Sequence, residues 1–123
     1  MISGKLFQMI FDEIANFLPD KWEKIVVYLE QGIDYYSYSF YVKINGKYIK
    51  CYDLENISDD DIFTAFENID EALSQEWEKE TEPWSNMTML VDNSGNMKTY
   101  FDYTDLSEGN FEYKKIWENQ YLV

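Results

Sequence analysis

The chain has 123 residues, 46% of them hydrophobic and 19% aromatic, with 24 acids against 10 lysines and neither histidine nor arginine. That apolar share excludes a disordered chain despite the net charge of −14. No stretch approaches the roughly 18 apolar residues of a membrane span, and so much negative charge repels nucleic acid and anionic membrane while attracting cationic surfaces. The length suits a single domain, 1–123, whose core buries about two-thirds of the unfolded chain's surface.

In chain order, Leu6, Phe7, Ile10, Phe11, Ile14, Phe17 and Leu18 recur every three or four residues, which predicts an amphipathic helix over 3–18 with Ser3 as cap and Pro19-Asp20 as stop. Asp12 and Glu13 interrupt that apolar run too early for a signal-peptide layout. Residues 24–31 (KIVVYLEQ) are extended in character. Residues 35–43 alternate, with Tyr36, Tyr38, Phe40 and Val42 on one face. Asn45-Gly46 is a hairpin signal, followed by Tyr48, Ile49, Cys51 and Tyr52, so the expectation is a three-stranded antiparallel meander.

Ser58 caps a second helix whose first turn carries Asp59, Asp60 and Asp61, favourable at an N-terminal dipole. Its expected buried stripe is Ile62, Phe63, Phe66, Ile69, Leu73 and Trp77. Segments 86–92 and 97–103 flank the turn Asn93-Ser94-Gly95-Asn96 as a second hairpin. A short helix or irregular segment, 108–120, closes the chain with Phe111, Ile116 and Trp117 as anchors. The order α-βββ-α-ββ-α is that of an α+β fold with helices packed on an antiparallel sheet.

Catalysis has little support. Without an imidazole there is no group whose ordinary pKa lies near neutrality and no Ser or Cys triad. Cys51, the one cysteine, forms no internal disulfide, which fits a reducing, cytosolic compartment, and it reads as a buried structural thiol. A carboxylate pair for glycoside hydrolysis carries no weight, because 24 acids place some pair at any separation by chance. The segment Asp92–Asn96 has the look of a calcium loop but lacks the alternating ligands and the downstream Glu, so it reads as a hairpin turn. One Cys and no His leave no zinc set. No cofactor is expected.

The charge itself is unevenly placed. Residues 1–50 carry six acids and six lysines, and residues 51–123 carry the other 18 acids against four lysines. On a wheel of the second helix Asp60, Asp61, Glu67, Glu71, Glu78 and Glu82 face outward, the candidate partner-binding residues. A solvated face is the ordinary explanation for such residues. Here, however, Glu67 and Glu71 are i,i+4 like charges, and Glu76, Glu78, Glu80 and Glu82 crowd the end where the macrodipole disfavours anions. Helix stability alone does not select that pattern.

The ordered set Leu18-Pro19, Trp22-Glu23-Lys24-Ile25, Glu82-Pro83-Trp84-Ser85-Asn86-Met87-Thr88, the Gly95 turn, Tyr100-Phe101-Asp102-Tyr103, Asp105-Leu106, Trp117 and Tyr121-Leu122 resembles the YezG type of immunity proteins, which includes the EsaG antitoxins of staphylococci. The similarity runs from about Leu6 to Leu122. It implies an α+β, non-enzymatic, cytosolic antitoxin without cofactor, bound to the nuclease domain of a secreted LXG-type toxin of type VII secretion. The implied partner is a basic protein domain, with no direct nucleic acid and no membrane. A chaperone that keeps the toxin soluble for export, leaving its active site open, is the alternative. The Pro-Trp and aromatic positions read as structural markers, and the acidic face is read from charge alone.

Overall fold

The computed structural model describes residues 3–123. Five strands form one antiparallel sheet: β1 (Lys24–Gly32), β2 (Tyr35–Ile44), β3 (Lys47–Lys50), β4 (Asn86–Asp92) and β5 (Met97–Asp102). Their spatial order is β3-β2-β1-β4-β5. Three helices, α1 (Gly4–Ala15), α2 (Asp59–Glu78) and α3 (Phe111–Tyr121), complete the order α-βββ-α-ββ-α expected from the sequence.

The central strand explains the rest. β1 pairs with β2 from Lys24↔Lys43 to Gly32↔Tyr35, and with β4 from Lys24↔Asp92 to Glu30↔Asn86. Ile25 through Gln31 are all buried, so β1 needs apolar side chains on both of its faces, and KIVVYLEQ supplies them without alternation. Ile25, Val27 and Leu29 join Tyr38, Phe40, Val42, Met87 and Met89 under Leu6, Ile10 and Ile14 of α1 and Ile62, Phe66, Ile69 and Leu73 of α2. On the other face Val26, Tyr28 and Tyr41 surround Trp117 of α3. The sheet is therefore covered by helices on both sides.

Local chemistry sets the ends of the elements. The Ser3 hydroxyl accepts from the Leu6 amide at 3.4 Å and the Ser58 hydroxyl from the Asp60 amide at 3.1 Å, capping α1 and α2. Asn45 and Gly46 both take positive φ (52° and 78°), as a two-residue hairpin turn requires.

Four details differ from the sequence reading. α1 stops at Ala15, and Phe17 and Leu18 donate to the Ile14 and Ala15 carbonyls in a tightened exit turn. β3 ends at Lys50, because Cys51 begins a 3-10 turn, Cys51–Asp53, that turns the chain toward α2. Phe63 is 54% exposed, since Ala65 and Phe66 take the inward positions on that turn of the helix. Phe111 and Ile116 are 69% and 66% exposed, leaving Trp117 as the one buried residue of α3. Trp117 meets Tyr28 edge-on at 4.9 Å, and its Nε1 donates to Thr88 Oγ1 at 2.8 Å, so a single side chain supplies both apolar contact and polar registration.

Candidate partner-binding face

α2 is held to the core by Ile62, Ala65, Phe66, Ile69 and Leu73. Its opposite side is therefore fixed toward solvent. Asp60, Glu67, Glu71 and Glu78 follow one another at spacings of seven, four and seven residues along that side and form one exposed stripe over the length of the helix. The other two candidates fall elsewhere. Asp61 is exposed but rotated toward α1, where it lines a crevice with Glu13 and Asn68. Glu82 lies beyond the helix end, in the bend that leads to β4.

Among the described residues, no lysine comes within ion-pair distance of the four stripe carboxylates; the Lys79 ammonium lies 3.7 Å from Glu76 instead. The C-terminal last turn of α2 holds no basic residue. The stripe is thus uncompensated charge on a rigid support.

The acids of the C-terminal third behave differently. Asp92 accepts from the amides of Ser94 and Asn96 and from Asn96 Nδ2, at 2.9 to 3.1 Å. Those donors hold its carboxyl below the usual aspartate value, and they account for the acid as part of a hairpin turn. Burial pushes Asp102 upward, but the Tyr113 hydroxyl and the Thr104 hydroxyl and amide outweigh it, leaving a lowered carboxyl. Asp105 is lowered by the Ser107 side chain and amide. These three are occupied by local donors, and the stripe on α2 is not.

Beside the stripe, a groove of about 550 Å³ opens between the β1–β2 turn and the C-terminal half of α2. Its walls include Ile33, Asp34, Tyr35, Tyr36, Asp70 and Trp77. The sequence reading missed Asp34 and Asp70, because the groove joins a turn to a helix face some forty residues away. Asp70 is fixed by Gln31, whose Nε2 donates to Asp70 Oδ1 at 3.0 Å while the Tyr38 hydroxyl donates to Gln31 Oε1.

Cys51 is buried, and burial pushes its thiol up, away from a nucleophile's range. No group of three metal-ligating side chains is assembled among the described residues.

A family model described as immunity protein YezG-like matches residues 4–123. The chain is similar to an immunity protein YezG of Bacillus spizizenii, 30% identical over 126 residues that cover 93% of this chain and 78% of that protein. It is 25% identical to an immunity protein YezG of Bacillus subtilis over 129 residues, 95% of this chain and 85% of the relative. It is also 26% identical over 127 residues to the type VII secretion system protein EsaG of Staphylococcus aureus, with 88% of this chain and 72% of the relative covered.

Proposed function

Since this chain belongs to the YezG-like immunity protein family, whose members are non-catalytic, we propose that it neutralises a secreted nuclease toxin by covering the toxin's cationic, phosphate-binding cleft with the acidic face of α2. The observation that carries the reading is the uncompensated stripe Asp60, Glu67, Glu71 and Glu78. A nuclease must present positive charge to its substrate backbone. An acidic protein seated there competes with substrate and blocks access to the catalytic groups. Its field also accelerates encounter, which suits a protein that must reach its toxin before the toxin reaches the chromosome. The site of action is the cytoplasm. No helix among the described residues is long and apolar enough to cross a membrane.

The test measures association with the cognate toxin domain, the protein that co-purifies with this chain from its producer, at several ionic strengths. Asp60→Asn, Glu67→Gln and Glu71→Gln combined should slow association at low salt by about tenfold and flatten its salt dependence, with helix content unchanged. Equal rates and equal salt slopes would reduce the stripe to a solvated face. Nuclease activity is measured alongside. Abolition at one-to-one stoichiometry marks an inhibitor, whereas full activity in the complex marks an export chaperone.

A further inference from the structure

Charge steers, but affinity needs a desolvated centre where a few side chains are enclosed. The stripe cannot supply one, because its carboxylates stand on an open helix surface. The groove beside it has the required parts. Ile33 sits at the tip of the β1–β2 hairpin and is 82% exposed. A β-branched apolar residue is disfavoured at a hairpin tip by turn chemistry and by hydration, and nothing in the fold covers it. Tyr35, 41% exposed, stands next to it. Tyr36 and Trp77 form the inner wall, and Trp77 is pinned by its Nε1, which donates to the Trp84 carbonyl at 2.6 Å.

The occupant is indicated by charge. Asp34, Asp70 and Glu78 line the groove, and no lysine does. Asp70 accepts from Gln31 Nε2 on Oδ1, with the Tyr38 oxygen 3.4 Å from that same atom, so Oδ2 lies outside both contacts. The pKa of the Tyr36 hydroxyl is raised by burial and then by the fields of Asp70 and Glu67, which marks the same negative potential at the inner wall. Rings beside carboxylates are the environment in which a lysine ammonium or an arginine guanidinium is held by cation–π and ionic contact together.

We propose that this groove is the anchoring pocket of the interface. A lysine or arginine from a loop of the toxin domain enters between Tyr36, Trp77 and the carboxylates of Asp34, Asp70 and Glu78, while an apolar neighbour on the same loop packs on Ile33. The inference rests on the toxin-binding reading above and divides its labour: the α2 stripe sets the rate of encounter, and the groove sets the lifetime of the complex.

Two substitutions test it without disturbing the fold. Ile33→Ser changes a residue exposed to solvent. Asp34→Asn keeps the left-handed backbone at position 34, where φ is 62° and asparagine is at home. With a catalytically inactive cognate toxin domain, each variant should speed dissociation about tenfold or more while changing association less than about twofold, the reverse of the stripe variant. Replacing toxin lysines and arginines singly by alanine should reveal one whose effect is coupled to Asp34→Asn, so that the double variant loses less than the product of the single effects. Unchanged dissociation for both variants, with the stripe variant still slow to associate, overturns the groove and leaves the toxin-binding reading intact. Faster dissociation without any coupled cation overturns the proposed occupant. A wild-type chain that binds no cationic nuclease domain overturns both.

Discussion

Glu30 and Asn110 are eighty residues apart in sequence, and the Asn110 side-chain amide donates to Glu30 Oε1 at 2.7 Å. Glu30 is buried in β1, and its carboxylate also receives the Tyr28 hydroxyl at 2.5 Å and the Tyr35 hydroxyl at 3.0 Å. A buried carboxylate is tolerated only when its lone pairs are met, and three donors meet them here. Asn110 occupies the N-cap position of α3, yet its Oδ1 accepts no capping bond; its side chain serves the sheet instead, through the Nδ2 donation to Glu30. The helix and its cap are thus fastened to the sheet at three points, Asn110 on Glu30, Tyr113 on Asp102 and Trp117 on Thr88.

Asn110→Ala should therefore cost about 1.5–3 kcal/mol, the range for a hydrogen bond to a charged group. Chemical denaturation measures it, and hydrogen exchange should place the new mobility in the first turns of α3. A loss below about 0.5 kcal/mol would mean that water replaces the amide at no cost.

Gly32 makes the Glu30 site possible. A Cβ there would lie 1.9 Å from Tyr35 Cε1, so the Tyr35 ring crosses the hairpin only because position 32 has no side chain. Gly32→Ala should destabilise by about 1–3 kcal/mol through overpacking. In the Tyr35→Ala background the same change should cost much less, giving a coupling of about 1 kcal/mol or more in a double-mutant cycle. Additive effects would show that the ring moves aside freely.

The parts of the fold visible in the sequence are those fixed by neighbours along the chain. Asn45-Gly46 specifies its own turn, Ser58 its own cap, and the alternation of Tyr36, Tyr38, Phe40 and Val42 its own face. The errors fall where a distant element decides. Phe63 satisfies a helical stripe, but where α2 docks on the sheet Ile62, Ala65 and Phe66 take the inward positions of that turn. α3 buries one residue in its whole length, because Tyr28 and Tyr41 already fill the face beneath it, and one tryptophan has no period to read. The acidic run of α2 was legible from charge. The groove was not, since Asp34 and Asp70 meet only through the pairing of β1 with β2 and the docking of α2.

Alkaline titration should expose the buried tyrosines. Tyr28, Tyr38 and Tyr113 are held well above the ordinary tyrosine value, each by burial first, and then by Glu30, Asp70 and Asp102 respectively. A folded-state value above the unfolded one favours the protonated native state. That stability is complete below about pH 10 and declines as pH rises past it, because the unfolded chain then releases protons the native chain keeps. Tyrosinate absorbance should rise in two steps, the second cooperative and coincident with loss of circular dichroism. One smooth rise of all eleven tyrosines with the fold intact would contradict these environments.

Glu78 brings stability and binding into opposition. It is exposed in the last turn of α2, where the helix dipole disfavours an anion and no basic residue offsets it. Glu78→Lys removes that conflict and adds a cation where one is favoured, so it should stabilise by about 0.3–1 kcal/mol, a rise of about 1–5 °C in melting temperature. Raising salt from about 0.01 to 0.1 M shortens the screening length from about 30 to 10 Å. That should raise the wild-type melting temperature as well, and raise it less in the variant, since part of the repulsion is already gone. The same substitution sets a cation at the end of the acidic stripe and on the wall of the groove, so toxin binding should weaken while the fold gains. Calorimetry and binding kinetics on one preparation decide the matter. A variant that is both more stable and equally tight would show that Glu78 serves neither the stripe nor the groove, and a variant that is less stable would show that an unseen local donor already compensates it.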